Sequence, residues 1–179
     1  MKKYVALLHS INVGGKNKIN MTELKLLFES IGFMNIITYI NSGNIIFSSD
    51  MENEDKIRNK CELAIKDKFK LNIDVIIMSE KNLSEALKHI PNWWDKDTES
   101  KHNVIFVIPP VTAEEIIEQI GVIKPEYEKL DFYEQIIFWS APTKTYTKTQ
   151  LTKLVHKSNS ITIRNANTTK KLLEIIKSI

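Results

Sequence analysis

Cysteine is almost missing from this sequence. Cys61 stands alone among 179 residues, so neither an internal disulfide nor a cysteine-rich zinc site can be built. Long hydrophobic runs are missing too: no apolar stretch approaches the ~20 residues that a membrane helix needs. The opening Met1-Lys2-Lys3 is followed by a short apolar run and then a polar glycine loop, too little for the apolar region of a signal peptide. The expectation is a cytoplasmic protein with no membrane partner. Strong net charge is the third absence. At +3 overall, 42% apolar and 26% charged, the composition is that of an ordinary soluble globular domain or two small ones.

Familiar catalytic signatures are also lacking. His9, His89, His102 and His156 show no HxxxH or CxxC spacing, so no metal site is expected. No serine sits in a GxSxG elbow. Cys61 falls at helical spacing with Ile57, Ile65 and Phe69, which makes it a core thiol rather than a nucleophile. The acidic groups at Asp50–Asp55 and Asp95–Glu99 read as helix-start charge and as a solvated connector. No cofactor motif is present.

What the chain does contain is a repeated order of elements. Tyr4–Leu8 is an apolar run that predicts a strand covered on both faces. Asn20 with Glu23 predicts a capping box for a helix whose apolar face is Leu24, Leu27, Phe28 and Ile31, with Gly32 just past its end. Ile36–Ile40 and Ile45–Ser48, separated by Asn41-Ser42-Gly43-Asn44, predict a hairpin. Ser49 or Asp50 would cap a helix carrying Ile57, Cys61, Ala64, Ile65 and Phe69, and Ile73–Met78 would be the next strand. A short helix, Glu80–His89, follows.

The order then recurs. Asn103–Ile108 predicts a strand, Thr112 with Glu115 a second capping box opening a helix to Ile120, and Lys129–Tyr133 with Gln135–Trp139 a hairpin. Lys148–Lys157 reads as a helix, Ser160–Ile163 as a strand and Asn167–Lys177 as the last helix. The expected fold is therefore α+β, with two ferredoxin-like β-α-β-β-α-β halves produced by internal duplication. The expected division is 1–89, a connector at 90–102, and 103–179. The connector holds Trp93 and Trp94, two indoles that either pack against a half or flank a ligand.

The stretch with most chemical promise is His9–Asn20. Adjacent Gly14 and Gly15 permit backbone angles that turn successive N–H groups one way, and Lys16 and Lys18 add positive charge. A helix start follows. Asn12, Ser42, Asn44, Arg164 and Asn165 are further polar groups at expected strand ends, and the fork of Arg164 suits phosphate or carboxylate. Each has a plainer reading as well. The glycines serve a tight turn, the asparagines satisfy turn backbones, and Arg164-Asn165 begins a helix.

These same residues resemble a known family. Leu8–Met21, Thr38–Phe47 and Thr162–Thr168 resemble, in order, three blocks of the bacterial domain-of-unknown-function 1697 family. The resemblance implies two ferredoxin-like halves and no activity. His9-Ser10 stands where that family usually has Arg-Gly, and Ala166 where it usually has Trp.

Charge distribution sharpens the functional expectation. From Ala141 onward there are eight Lys/Arg against Glu174 alone, so +7, which leaves −4 for the first 140 residues. A basic last third and a Gly-Gly-Lys loop suggest a module for a phosphate-bearing ligand, a nucleotide or a nucleic acid. Two alternatives stand beside it: an enzyme acting on a small anionic substrate between the halves, with His9 as base, and a purely structural or interaction protein.

Overall fold

β-branched runs and helical periods alternate along the chain, and the computed structural model, which describes residues 1–155 and 158–179, turns that alternation into two sheets. The first holds β1 (Lys2–Leu8), β2 (Met34–Tyr39), β3 (Asn44–Ser49) and β4 (Val75–Ser79), with α1 (Met21–Ser30) and α2 (Glu54–Phe69) between strands and α3 (Glu80–Ala86) after them. The second holds β5 (Ser100–Val107), β6 (Lys129–Tyr133), β7 (Ile136–Pro142) and β8 (Ile161–Asn165), with α4 (Ala113–Ile120), α5 (Gln150–Val155) and α6 (Ala166–Ser178). Strand orders are β2-β3-β1-β4 and β6-β7-β5-β8, every pairing antiparallel. The fold is α+β with two similar halves, each a β-α-β-β-α-β run.

The first core is legible strand by strand. Register pairs Tyr4 with Phe47 and Ala6 with Ile45, so these residues share a face. Against that face pack Leu24 and Phe28 of α1 and Ile57, Cys61 and Ile65 of α2. Phe33 and Phe47 stack with centroids 4.4 Å apart. The alternate residues Val5, Leu7 and Ile46 are buried as well, as a strand apolar on both sides requires. The second core repeats the scheme with Ile105, Val107, Ile137 and Trp139 under Ala113, Ile116 and Leu151. Phe106 and Phe138 are buried too.

Helix ends follow sequence chemistry with two corrections. Thr112 and Glu115 form the expected reciprocal capping box. Asn20 accepts the N–H groups of Thr22 and Glu23 and so caps α1. The cap of α2, however, is Asn53, which accepts Lys56 N–H at 2.9 Å; Ser49 instead ends β3 and accepts Met51 N–H at 3.0 Å. Residues 143–148 are a 3-10 turn, so α5 starts at Gln150 rather than Lys148. His156 and Lys157, where that helix was expected to end, lie outside the described residues.

Contacts divide the chain into one unit of Met1–Ser84 with Lys171–Ile179 and another of Glu85–Lys170. The last turns of α6 thus belong with the first sheet, and their Leu172 and Ile176 are buried. Residues 90–102 are structured: β5 begins at Ser100, and Trp94 is buried with Nε1–H donating to the Asn103 carbonyl at 3.0 Å. His102 pins the same segment. Its Nδ1 accepts Asp95 N–H at 3.0 Å and lies 2.6 Å from Ser140 Oγ, while Nε2 faces the Asp97 carbonyl at 2.9 Å. That pattern places the ring proton on Nε2. Among the described residues no helix is long and apolar enough to cross a membrane.

Candidate functional site

The loop after β1 is a small, braced structure. Val13-Gly14-Gly15-Lys16 is a tight turn with Gly14 and Gly15 at φ +58° and +76°, closed by Lys16 N–H to the Val13 carbonyl at 3.0 Å. Positive φ at both central residues is the I′ pattern, which glycine adopts without steric cost. Ser10, Asn12 and Asn17 also have positive φ, of 49°, 56° and 48°. Ile11 and Ile19, both buried, anchor the two ends of the loop in the first core.

Asn12 is the brace. Its Oδ1 accepts Ile19 N–H and its Nδ2 donates to the carbonyls of Ile19 and Asn41, each at 2.9 Å. One side chain therefore ties the loop to itself and to the β2–β3 turn. Leu8 N–H donates to the Gly43 carbonyl at 2.9 Å, a second tie between the same segments. The sequence-expected group Asn12, Gly14, Gly15, Lys16, Lys18, Ser42 and Asn44 is thus gathered in one region of the first unit. Asn44 is fully buried and serves the turn: Nδ2 donates to the Tyr39 carbonyl at 3.0 Å and to Ser42 Oγ at 2.9 Å.

Beside the loop lies an open depression of about 560 Å³, lined by Asn12, Gly15, Lys18, Asn20, Glu23 and Asn41 among others. Lys16 and Lys18 are exposed. The positive end of α1 adds little here, because Asn20 already takes the N–H groups of Thr22 and Glu23 and the Glu23 carboxylate stands in the lining. Within the loop itself, charge for an anion comes from the exposed Lys16 and Lys18.

A family model described as "Protein of unknown function (DUF1697)" matches residues 1–138. The chain belongs to the DUF1697 family. The match takes in the blocks at Leu8–Met21 and Thr38–Phe47, which form the braced loop and the turn tied to it. The DUF1697 chain is also similar to the conserved bacterial protein SP0830 from Streptococcus pneumoniae, at 29% identity and TM-score 0.86, with 98% of each chain covered. Comparison with curated proteins finds no significant match.

Arg164 and Asn165 of the DUF1697 chain lie in the other unit, in the block at Thr162–Thr168 beyond the family match. Arg164 is 7% exposed; its Nη1 donates to Thr162 Oγ1 at 2.9 Å and to the Ile163 carbonyl at 2.8 Å. Burial pushes its guanidinium down to about 10, which leaves it charged at neutral pH. Asn165 Oδ1 accepts Thr168 N–H at 2.8 Å and caps α6. Cys61 is buried in the first core, and desolvation pushes its thiol far up, so it stays protonated.

Sequence reasoning underrated one residue. Gly43, at φ +74°, would place a Cβ 2.7 Å from Leu8 Cβ and 2.9 Å from Ile11 Cδ1, whereas Gly14 and Gly15 have open space around theirs. The glycine that permits close approach is in the hairpin turn, not in the Gly-Gly pair. An Asn-Ser-Gly-Asn turn following a Leu-His-Ser-Ile loop carried no local sign of that contact.

Proposed function

We propose that this protein binds a small phosphate-bearing ligand at the braced loop, with Lys16 and Lys18 supplying charge and the Gly14 and Gly15 amides supplying hydrogen bonds. The observation that supports it is the division of labour in the loop. Asn12 and the buried Ile11 and Ile19 hold the loop in place, while the exposed glycine turn has no backbone partner for either glycine amide among the described residues. Asn12, Ser42 and Asn44 act as the frame, and a free nucleotide fits better than a nucleic acid. Single-stranded RNA readers expose sheet aromatics for stacking, whereas Tyr4 and Phe47 are fully buried here.

Calorimetric titration with adenosine diphosphate and with inorganic phosphate tests this reading. Native protein should bind one of them, and the Lys16→Ala/Lys18→Ala pair should weaken binding about tenfold, roughly 1.4 kcal/mol, with an unchanged melting curve, since exposed charges contribute little to stability. Absence of heat at millimolar ligand, or equal binding by the double variant, overturns the reading. A steep salt slope with oligonucleotides would instead favour the nucleic-acid version. An enzyme on the same class of substrate is a second reading, supported by His9 Nε2 lying 2.9 Å from Ser10 Oγ at the start of the loop. Turnover of a bound nucleotide that His9→Gln abolishes would select it.

A further inference from the structure

His102 of β5 is a buried titratable side chain that the loop of the first unit does not use. Only 5% of the side chain is exposed, and its register partner on β7 is Ser140. Its Nδ1 faces two groups at once, Asp95 N–H at 3.0 Å and Ser140 Oγ at 2.6 Å. A backbone N–H can only donate, so the Asp95 bond exists only while Nδ1 carries no proton. Asp95 depends on that bond. It sits at φ +58°, a left-handed backbone that a non-glycine residue keeps only where its surroundings hold it. Trp94, just before it, is 1% exposed; its backbone N–H donates to the Pro91 carbonyl and its indole N–H to the Asn103 carbonyl, each at 3.0 Å. The indole meets the Phe138 ring at 73°, with centroids 5.7 Å apart.

The charges around the ring lie on the same stretch of chain. Asp97 Oδ2 stands 3.6 Å from Nε2, and half of the Asp97 side chain is exposed. Asp97 Oδ1 is fixed by the N–H groups of Glu99 at 3.0 Å and Ser100 at 2.6 Å. The Asp95 carboxylate is taken by the Lys170 ammonium, which also stands 5.9 Å from the centre of the Trp94 ring. Lys101, the neighbour of His102 on β5, turns to the other side of the strand, where its ammonium lies 4.2 Å from the centre of the Tyr146 ring. From β7 comes the Ser140 hydroxyl, which is neutral, and the Trp94 ring lies edge-on to the imidazole with centroids 6.4 Å apart. A second proton on the imidazole therefore loses one partner and gains another. Nδ1–H turns to Ser140 Oγ, which accepts it, and Asp95 N–H is left facing a donor. At the other nitrogen the imidazolium pairs with the Asp97 carboxylate.

We propose that His102 is a proton-operated latch for the turn at 94–97. While Nδ1 carries no proton, Asp95 is held, the turn is shut and Trp94 is buried. One proton from water, added to Nδ1, releases Asp95 and uncovers Trp94, while β5 and β7 keep their register. The direction follows from the bonds. The shut form binds this proton less readily than the open form, so the shut form is favoured as pH rises and is lost as pH falls. Asp97, by favouring the cation, raises the pH at which the latch lets go. No bond between heavy atoms is made or broken, and the loop of the first unit plays no part.

A pH titration of the full chain followed by NMR, from about pH 8 to about pH 5, where imidazole ordinarily changes charge, tests the latch. The reporters are the His102 ring, the Asp95 amide and the Trp94 indole N–H, the ring and the indole being identified by their loss in His102→Gln and Trp94→Phe. In the native chain the three should move together along one reversible single-proton curve, while the amides of Val104, Ile105 and Phe106 stay in place. His102→Gln offers an acceptor that does not titrate, so there the Asp95 and Trp94 signals should stay still. Asp97→Asn keeps an acceptor for the Glu99 and Ser100 N–H groups but removes the charge, so the midpoint should fall by about half a pH unit or more. A His102 ring that titrates without moving the Asp95 and Trp94 signals overturns the proposal, as does a ring that takes no proton before the whole chain unfolds. Asp95 and Trp94 signals that move in His102→Gln as they do in the native chain overturn it too. If His102→Gln does not fold, half-exposed Asp97 still decides: an unchanged midpoint in Asp97→Asn overturns the latch.

Discussion

Gly43 shows what a single hydrogen atom in place of a methyl group can control. Gly14→Ala should cost only the left-handed backbone penalty of about 1–2 kcal/mol, because its Cβ would meet nothing. Gly43→Ala adds a backbone-proximal clash to that penalty and should cost about 3 kcal/mol or more, detaching the loop from the turn. Equal melting temperatures for the two variants would refute this ranking. A second residue-scale expectation concerns acid. Hydrogen bonds from Ser100, with smaller help from Glu99 N–H, hold the Asp97 carboxyl below its unfolded value near 3.8. The folded state thus binds this proton less readily than the unfolded state, so the stabilisation is present above that pH and is lost as pH falls through the lowered value. Thermal melts from neutral to acid pH should therefore decline less in Asp97→Asn than in the native chain. Parallel declines would show that Asp97 plays no part.

Elements obey their own periods until tertiary contact intervenes. β1 and β3 are buried on both faces because strand residues alternate sides and both sides are covered. Phe47 meets Tyr4, Phe28 and Phe33 around one point, and Phe106 is equally buried in the second unit. Replacing either with alanine should cost about 3–5 kcal/mol in denaturant melts; a loss under about 1 kcal/mol at both would mean that the cores lie elsewhere. Asn53 took the cap of α2 from Ser49 and Asp50 because β3 extends to Ser49 to pair with Lys2, which carries the strand past the first acceptable cap. Likewise the 3-10 turn at 143–148 displaces the start of α5, since Thr149 and Thr152 spend their hydroxyls on the Tyr146 carbonyl.

At the scale of the molecule, duplication of one β-α-β-β-α-β run explains both sheets, yet the compact units do not follow chain order. Lys171–Ile179 is grouped with Met1–Ser84. Deleting 171–179 removes the buried Leu172 and Ile176, so the first unit should lose stability through the far end of the chain, by about 2–5 kcal/mol per buried aliphatic lost. Amide exchange should quicken in β1 and β3. Unchanged protection there would show that α6 is dispensable to the first sheet.

The sequence by itself determined element order, the hairpins and the presence of positive φ in the Gly14-Gly15 pair, because alternation, 3.6-residue periods and turn chemistry act within a few residues. It also picked out the loop and turn that the structure brings together, since polar residues in a glycine-rich loop are visible as letters. Only the tertiary structure decided that Asn12 is a brace, that Gly43 must lack a Cβ, and that Arg164 is buried while Asn165 caps α6. The same holds for Trp94, whose indole N–H donates to a carbonyl nine residues away. Distances across strands and between loops depend on which segments pair, and that information is shared among residues far apart in the chain.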